Sequence, residues 1–159
     1  VYWEGVWHYH SESGAQVSGW IKPDGHWYYL APGTGIMATG WSKIDGQWYL
    51  FAANGAMATG WHKLGGLWYY LDHSGAMHVG WLQQGATWYL LADNGAMVTG
   101  WKQVGGTWYY FDSSGAMVQG WLQIDGSWYY FGSSGNMYTG SRQINGRTYY
   151  FDPSGKWFA

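Results

Sequence analysis

A tryptophan pair recurs at a fixed interval, and this repetition limits the possible folds more than any other feature of the chain. Gly-Trp places Trp20, Trp41, Trp61, Trp81, Trp101 and Trp121, and a second Trp follows each after seven residues: Trp27, Trp48, Trp68, Trp88, Trp108 and Trp128. The next residue is always Tyr (Tyr28, Tyr49, Tyr69, Tyr89, Tyr109, Tyr129). Met37, Met57, Met77, Met97, Met117 and Met137 stand four residues before the next Gly-Trp or its equivalent. The period is 20 residues, with one extra residue in the Ala31–Gly35 loop. Twenty residues cannot bury a core alone, so neighbouring units must stack.

The periodicity divides the chain into a truncated N-terminal repeat (1–19), six complete repeats (20–140) and a degenerate capping repeat (141–159), read together as one domain. The first has Trp7 at the second-Trp position and is read without a first strand. In the last, Ser141 and Thr148 replace the two Trp.

Each unit reads as a β-hairpin followed by a loop. Between the paired Trp lie Asp24-Gly25, Asp45-Gly46, Gly65-Gly66, Gly105-Gly106, Asp125-Gly126 and Asn145-Gly146, dipeptides that tolerate the positive φ of two-residue hairpin turns; Gly85-Ala86 is the weakest of the set. No segment has a helical period. A turn at Asp24-Gly25 sets Trp20 opposite Tyr29 and Lys22 opposite Trp27. Alternation along the strands then places Trp20, Lys22, Trp27 and Tyr29 on one face and Ile21, Pro23, Tyr28 and Leu30 on the other. The second face is apolar in the other units too, through Ile44, Leu64, Val104, Ile124 and Ile144 with Phe51, Leu71, Leu91, Phe111, Phe131 and Phe151. The expected fold is an all-β solenoid of stacked two-stranded hairpins.

Stacking turns the Trp pair of one hairpin toward the Tyr of the next. Three aromatic faces without a carboxylate make a cage for a soft, poorly hydrated cation, and quaternary ammonium is the natural guest. Met57 and its equivalents are placed to add a thioether wall. Trp and Tyr also serve as core. However, aliphatic residues already supply the opposite face, whereas both Trp are present in all six complete units.

Composition removes other classes. The net charge is −2 and the pI about 6.3, with no basic run, which argues against nucleic-acid binding. No run of 18 apolar residues is long enough for a membrane span, so no membrane insertion is expected. There is no Cys, hence no disulfide or thiolate chemistry. The acidic residues are scattered among turns, unlike the paired carboxylates of a glycosidase. His8, His10, His73 and His78 lack metal-motif spacing. No catalytic residue, cofactor or metal is expected. Val1 opens without a leader pattern, so any signal peptide has been removed or lies outside this sequence.

Gly-Trp-x6-Trp-Tyr-Tyr followed by a loop ending Gly-x-Met-x-Thr-Gly-Trp resembles the choline-binding repeats of Gram-positive surface proteins and of phage and bacterial cell-wall lytic enzymes. Gly100 through Trp121 carries the pattern closely, and the resemblance covers about 140 of the 159 residues. It implies a β-solenoid whose sites use two Trp of one repeat and a Tyr of the next. Carried over, the sites are Trp20, Trp27, Tyr49; Trp41, Trp48, Tyr69; Trp61, Trp68, Tyr89; Trp81, Trp88, Tyr109; Trp101, Trp108, Tyr129; and Trp121, Trp128, Tyr149. Met57, Met77, Met97, Met117 and Met137 are the candidate fourth walls.

Trp7 and Tyr28 would make only a partial site. Leu50 and Leu90 replace a Tyr on the Trp face, so the second and fourth sites are expected to differ in affinity. The resemblance implies a non-catalytic, extracellular cell-wall module that binds choline or phosphocholine on teichoic and lipoteichoic acids. The truncated first repeat suggests either a fragment, for instance of a cell-wall hydrolase, or an array that begins abruptly. A homodimer is an open partner class. The rival readings are a glucan-binding array, which the seventh unit resembles most, and a structural or dimerisation rod.

Overall fold

The computed structural model describes residues 2–3 and 5–158. They form two compact units, 1–78 and 79–159. The first unit holds the strands β1 (Tyr2–Trp3), β2 (Val6–Trp7), β3 (Gly19–Ile21), β4 (Tyr28–Leu30), β5 (Gly40–Ile44), β6 (Gln47–Phe51), β7 (Gly60–Leu64) and β8 (Leu67–Leu71). The second holds β9 (Gly80–Gln84), β10 (Thr87–Leu91), β11 (Gly100–Val104), β12 (Thr107–Phe111), β13 (Gly120–Ile124), β14 (Ser127–Phe131), β15 (Gly140–Ile144), β16 (Arg147–Phe151) and β17 (Trp157–Phe158). Consecutive strands pair antiparallel as hairpins, and β17 adds a third strand to β15–β16. No described residue is helical.

The turn chemistry sets the register. Asp45, Asp125 and Asn145 take positive φ (49°, 49° and 51°), each followed by a Gly that is also positive, the signature of a two-residue type I′ turn. Gly65-Gly66 and Gly105-Gly106 do the same, whereas at Gly85-Ala86 only the Gly is positive, the pattern of type II′. The resulting pairs are Trp41↔Leu50, Lys43↔Trp48 and Ile44↔Gln47, and the equivalent pairs recur in the second unit. Both Trp of a hairpin therefore face the same way.

Two details depart from the sequence reading. The β3–β4 ladder stops at Ile21↔Tyr28, so Lys22 and Trp27 lie beyond it. Pro23 has no N–H to donate, and only Gly25 in this turn has positive φ. The N-terminal repeat also has a first strand after all: Tyr2 pairs with Trp7 and Trp3 with Val6, around Gly5 at φ 82°. Two residues are too short to show the alternation by which a strand is recognised in sequence.

Within each unit, every hairpin buries the residue at the end of its second strand. Leu30, Phe51, Leu71, Leu91, Phe111, Phe131 and Phe151 are all buried. Each burial is worth on the order of 1.5–3 kcal/mol. The aliphatic residues near the turns are less uniform: Ile44 and Ile144 are buried, but Leu64, at the hairpin tip, is exposed.

Beyond the core residue the loop folds back on its own hairpin. In the first unit Ala52 N–H donates to the Ala56 carbonyl and Gly55 N–H to the Ala52 carbonyl, both at 2.8 Å. The Met N–H then donates to the carbonyl of the second Trp of the preceding hairpin: Met57 to Trp27 (2.8 Å), Met77 to Trp48 (2.7 Å), Met117 to Trp88 (2.8 Å) and Met137 to Trp108 (2.8 Å). This backbone bond ties consecutive hairpins together where the aromatic side chains meet.

Candidate functional site

The aromatic side chains assemble from three successive stretches of chain. Within a hairpin, the first and second Trp stand nearly perpendicular, with ring centroids 6.3 Å apart for Trp20–Trp27, 6.5 Å for Trp61–Trp68, 6.3 Å for Trp81–Trp88, 6.2 Å for Trp101–Trp108 and 6.4 Å for Trp121–Trp128. The Tyr of the next hairpin meets the first Trp edge-on. Trp20–Tyr49 lie 4.9 Å apart, Trp41–Tyr69 5.1 Å, Trp81–Tyr109 5.0 Å, Trp101–Tyr129 4.9 Å and Trp121–Tyr149 5.0 Å.

The two indoles differ in role. The first Trp is half-buried and packs on the core Phe of the next hairpin, as in Trp20–Phe51 at 5.8 Å and Trp101–Phe131 at 5.7 Å. Trp27, Trp48, Trp108 and Trp128 leave about two fifths of their surface in solvent (42, 41, 41 and 41%). These exposed indole faces border hollows, and apolar surface joined to a concavity is the usual mark of a ligand site.

Three hollows are formed in this way. Trp20, Trp27, Tyr49 and Met57, with Ser74, line one of about 380 Å³. Trp81, Trp88, Tyr109 and Met117, with Ser133 and Ser134, line one of about 370 Å³. Trp101, Trp108, Tyr129 and Met137, with Pro153 and Ser154, line one of about 390 Å³. No charged side chain lines any of the three. Such a hollow offers ring faces and a thioether to a cation that needs no hydrogen-bond acceptor.

The Met wall is held from behind. A Cβ on Gly75 would lie 2.3 Å from the Met57 sulfur, and Gly135 and Gly155 stand in the same relation to Met117 and Met137, also at 2.3 Å. These glycines have φ near 80° (85°, 78° and 85°), so both backbone conformation and space require Gly.

The other expected sets are placed as follows. Trp41 meets Tyr69, and Met77 is bonded to Trp48, all within the first unit. Trp61 and Trp68 pair in the first unit, while Tyr89 and Met97 belong to the second. Leu50 and Leu90, both buried, stand opposite Trp41 and Trp81, where Tyr29, Tyr70, Tyr110 and Tyr130 pack 5.1–5.2 Å from the first Trp of their own hairpins.

Sequence reasoning missed two contributions. Trp157 packs 6.0 Å from Trp121 and 6.3 Å from Tyr149, which makes the sixth set a four-aromatic group. The signal was present: Met57 follows Tyr49 by eight residues, and Trp157 follows Tyr149 by the same interval. The second omission is the serine rim, supplied by the loop two repeats further on. No hairpin register predicts it, because it depends on the rise between hairpins.

Among the described residues, no group of three or more His, Asp or Glu is gathered to hold a metal. Asp112 and Asp152 serve their own loops. At each, the hydroxyl of the following Ser114 or Ser154, with backbone N–H groups, holds the carboxyl below its ordinary pKa. At Asp72 desolvation pushes upward, but the hydrogen bonds from Ser74 and Ala76 prevail and the net shift is down.

Known proteins carry the same pattern. Residues 3–39, 38–80, 58–99 and 98–141 match a family described as the choline-binding repeat. Residues 142–156 match a putative cell wall binding repeat. No curated protein sequence matches the chain significantly.

Among solved structures, CbpJ from Streptococcus pneumoniae TIGR4 is 42% identical with a TM-score of 0.92, over 95% of this chain and 56% of that one. Choline-binding protein F from Streptococcus pneumoniae, solved in the presence of a peptidoglycan analogue, is 41% identical with a TM-score of 0.90, over 95% of this chain and 55% of that one. CbpF in complex with ipratropium is 37% identical with a TM-score of 0.88, over 100% of this chain and 58% of that one. The chain thus spans a little more than half the length of these relatives. With matching repeats along most of its length, this chain belongs to the choline-binding repeat family.

Proposed function

We propose that this chain is a non-catalytic attachment module that holds the choline groups of teichoic and lipoteichoic acids at the outside of a Gram-positive cell wall. The observation that carries the reading is the recurring hollow between two perpendicular indoles, a tyrosine and a methionine, open to solvent and lined by no charge. A trimethylammonium group fits its chemistry: the methyls are apolar and the spread charge is attracted to ring faces, each face contributing on the order of 0.5–2 kcal/mol. A relative of this chain has been solved with ipratropium, itself a quaternary ammonium, which supports the same ligand class here.

Single cages of this kind are weak. Several on one chain, facing a polymer that presents many copies of the ligand, gain through effective concentration. The module therefore anchors whatever is joined to it, an enzyme or an adhesin, and a homodimer would double the number of cages.

Calorimetric titration with choline tests the reading, with tetramethylammonium and dextran as comparators. Saturable binding of choline and tetramethylammonium at several sites per chain is expected, with no response to dextran. Binding of dextran alone would make this a glucan module. Silence with all three would leave a structural rod.

A further inference from the structure

The three hollows share their aromatic walls but differ at the mouth. Ser74 lies at the first, Ser133 and Ser134 at the fourth, and Pro153 and Ser154 at the fifth. In the loops of the first and fifth, the serine donors are already spent on a carboxylate. Asp72 Oδ1 accepts from Ser74 N–H at 2.8 Å and from its hydroxyl at 2.5 Å. Asp152 Oδ1 accepts from Ser154 N–H at 2.8 Å and from its hydroxyl at 2.6 Å. Both loops thus bring a negative charge close to the cage mouth.

The fourth cage is different. Gly132 stands where the other two loops have Asp. Asn136 folds its side chain back into the vacated space, its Oδ1 only 2.5 Å from where a Gly132 Cβ would sit. That neutral oxygen accepts the Ser134 hydroxyl at 2.7 Å. Among the described residues, the Ser134 backbone N–H has no acceptor. Gln119 Nε2 donates to the Ser133 carbonyl at 2.8 Å and steadies the loop. The fourth mouth therefore carries serine donors and no carboxylate.

Resting on the choline reading above, we infer that the fourth cage binds phosphocholine rather than choline alone, with Trp81, Trp88, Tyr109 and Met117 around the ammonium and Ser133 and the Ser134 backbone N–H donating to the phosphate oxygens. The two-carbon linker of phosphocholine keeps its phosphate beside the mouth once the ammonium is in the cage. There an N–H···O⁻ bond is charge-assisted and stronger than a neutral one. At an Asp-bearing mouth the same phosphate meets a like charge, and the Ser N–H and hydroxyl are already engaged.

The test follows the tryptophan indole N–H resonances during titrations with choline and with phosphocholine at fixed ionic strength. It compares the wild-type chain with the double variant Gly132→Asp/Asn136→Ala. This variant gives positions 132–137 the sequence that positions 112–117 already have, so the loop has a folded precedent in the same chain. In the wild type, the Trp81 and Trp88 lines should half-saturate at about five- to tenfold lower phosphocholine than choline, the worth of one charge-assisted bond.

The variant should lose that preference and keep its choline response, with Trp20 and Trp27 unchanged as internal controls. Equal response to the two ligands in the wild type, or a preference that survives in the variant, would overturn the inference while leaving the choline reading intact. No indole response to choline in either protein would overturn that reading itself. Phosphatidylcholine vesicles present the same headgroup. Co-sedimentation that the double variant loses would support the inference with a lipid source, and phosphocholine binding without co-sedimentation would support it with the wall polymer as source.

Discussion

The two compact units carry the same hairpin but different charges beside it. In the first unit, the residue two after the first Trp is lysine: Lys22, Lys43 and Lys63 place Nζ 5.4, 6.0 and 5.8 Å from the ring centre of Trp27, Trp48 and Trp68. In the second unit the same position is Gln83, Gln103 and Gln123. An indole has two faces. Lys22 is not among the residues lining the first hollow, so its ammonium draws on the ring from outside the cage. A cation already over Trp27 weakens what that ring offers a second cation and repels it directly. The cages of the second unit, around Gln83 and Gln103, should therefore hold quaternary ammonium more tightly than the first cage. Identical aromatic walls do not make identical sites.

The largest expected effect checks that the walls themselves are equivalent. Trp20→Ala in the first unit and Trp101→Ala in the second should each remove one choline site. Each should also cost about 3 kcal/mol in urea denaturation, because these rings pack on Phe51 and Phe131. Trp27→Ala and Trp108→Ala should each remove a site at a smaller cost of about 1 kcal/mol, since about two fifths of each side chain already lies in solvent. Unequal costs between the units would mean that they differ in packing and not only in charge.

The charge exchange comes next. Lys22→Gln should raise choline affinity at the first cage about two- to fivefold, and Gln103→Lys should lower it at the fifth by a similar factor. Raising the salt concentration should narrow the gap between the units, because exposed charges are screened. If neither exchange moves the midpoints, the lysines are bystanders.

The smallest effect concerns the loops that hold the Met walls. Asp72 in the first unit, and Asp112 and Asp152 in the second, have pKa values lowered by serine hydroxyl and backbone donors, with desolvation at Asp72 opposing but outweighed. A lowered folded pKa gives stability that is present above the unfolded carboxylate value of about 3.9. It is lost as pH falls through the folded value. Stability measured from pH 6 downward should therefore hold to about pH 4 and then decline. Asp112→Asn should flatten that decline in the second unit.

Much of this was legible in the sequence because period-2 alternation and a 20-residue repeat both act within one hairpin and its neighbour. The Asp-Gly and Gly-Gly turns dictate which residues face each other, and Trp41↔Leu50 and Lys43↔Trp48 follow directly. What lay outside that reach involves either very short elements or longer spacing. Tyr2–Trp3 is too short to show alternation, and Pro23 ends its ladder early. Ser74, Ser134 and Ser154 reach a cage two repeats back, which depends on how hairpins stack rather than on any one register. Trp157 was hidden by its type alone, because a Met was expected at that interval from Tyr149.

Paired indoles that wall a ligand site must respond directly when the ligand is added. The most direct measurement is the indole N–H spectrum of the intact chain as choline is added. Saturable shifts of Trp20 and Trp27, of Trp81 and Trp88, and of Trp101 and Trp108 are expected, with the second-unit pairs half-saturating at lower choline. Tetramethylammonium should reproduce these shifts and dextran should not. Indoles that ignore choline, or that move with dextran instead, would contradict that role for the paired indoles.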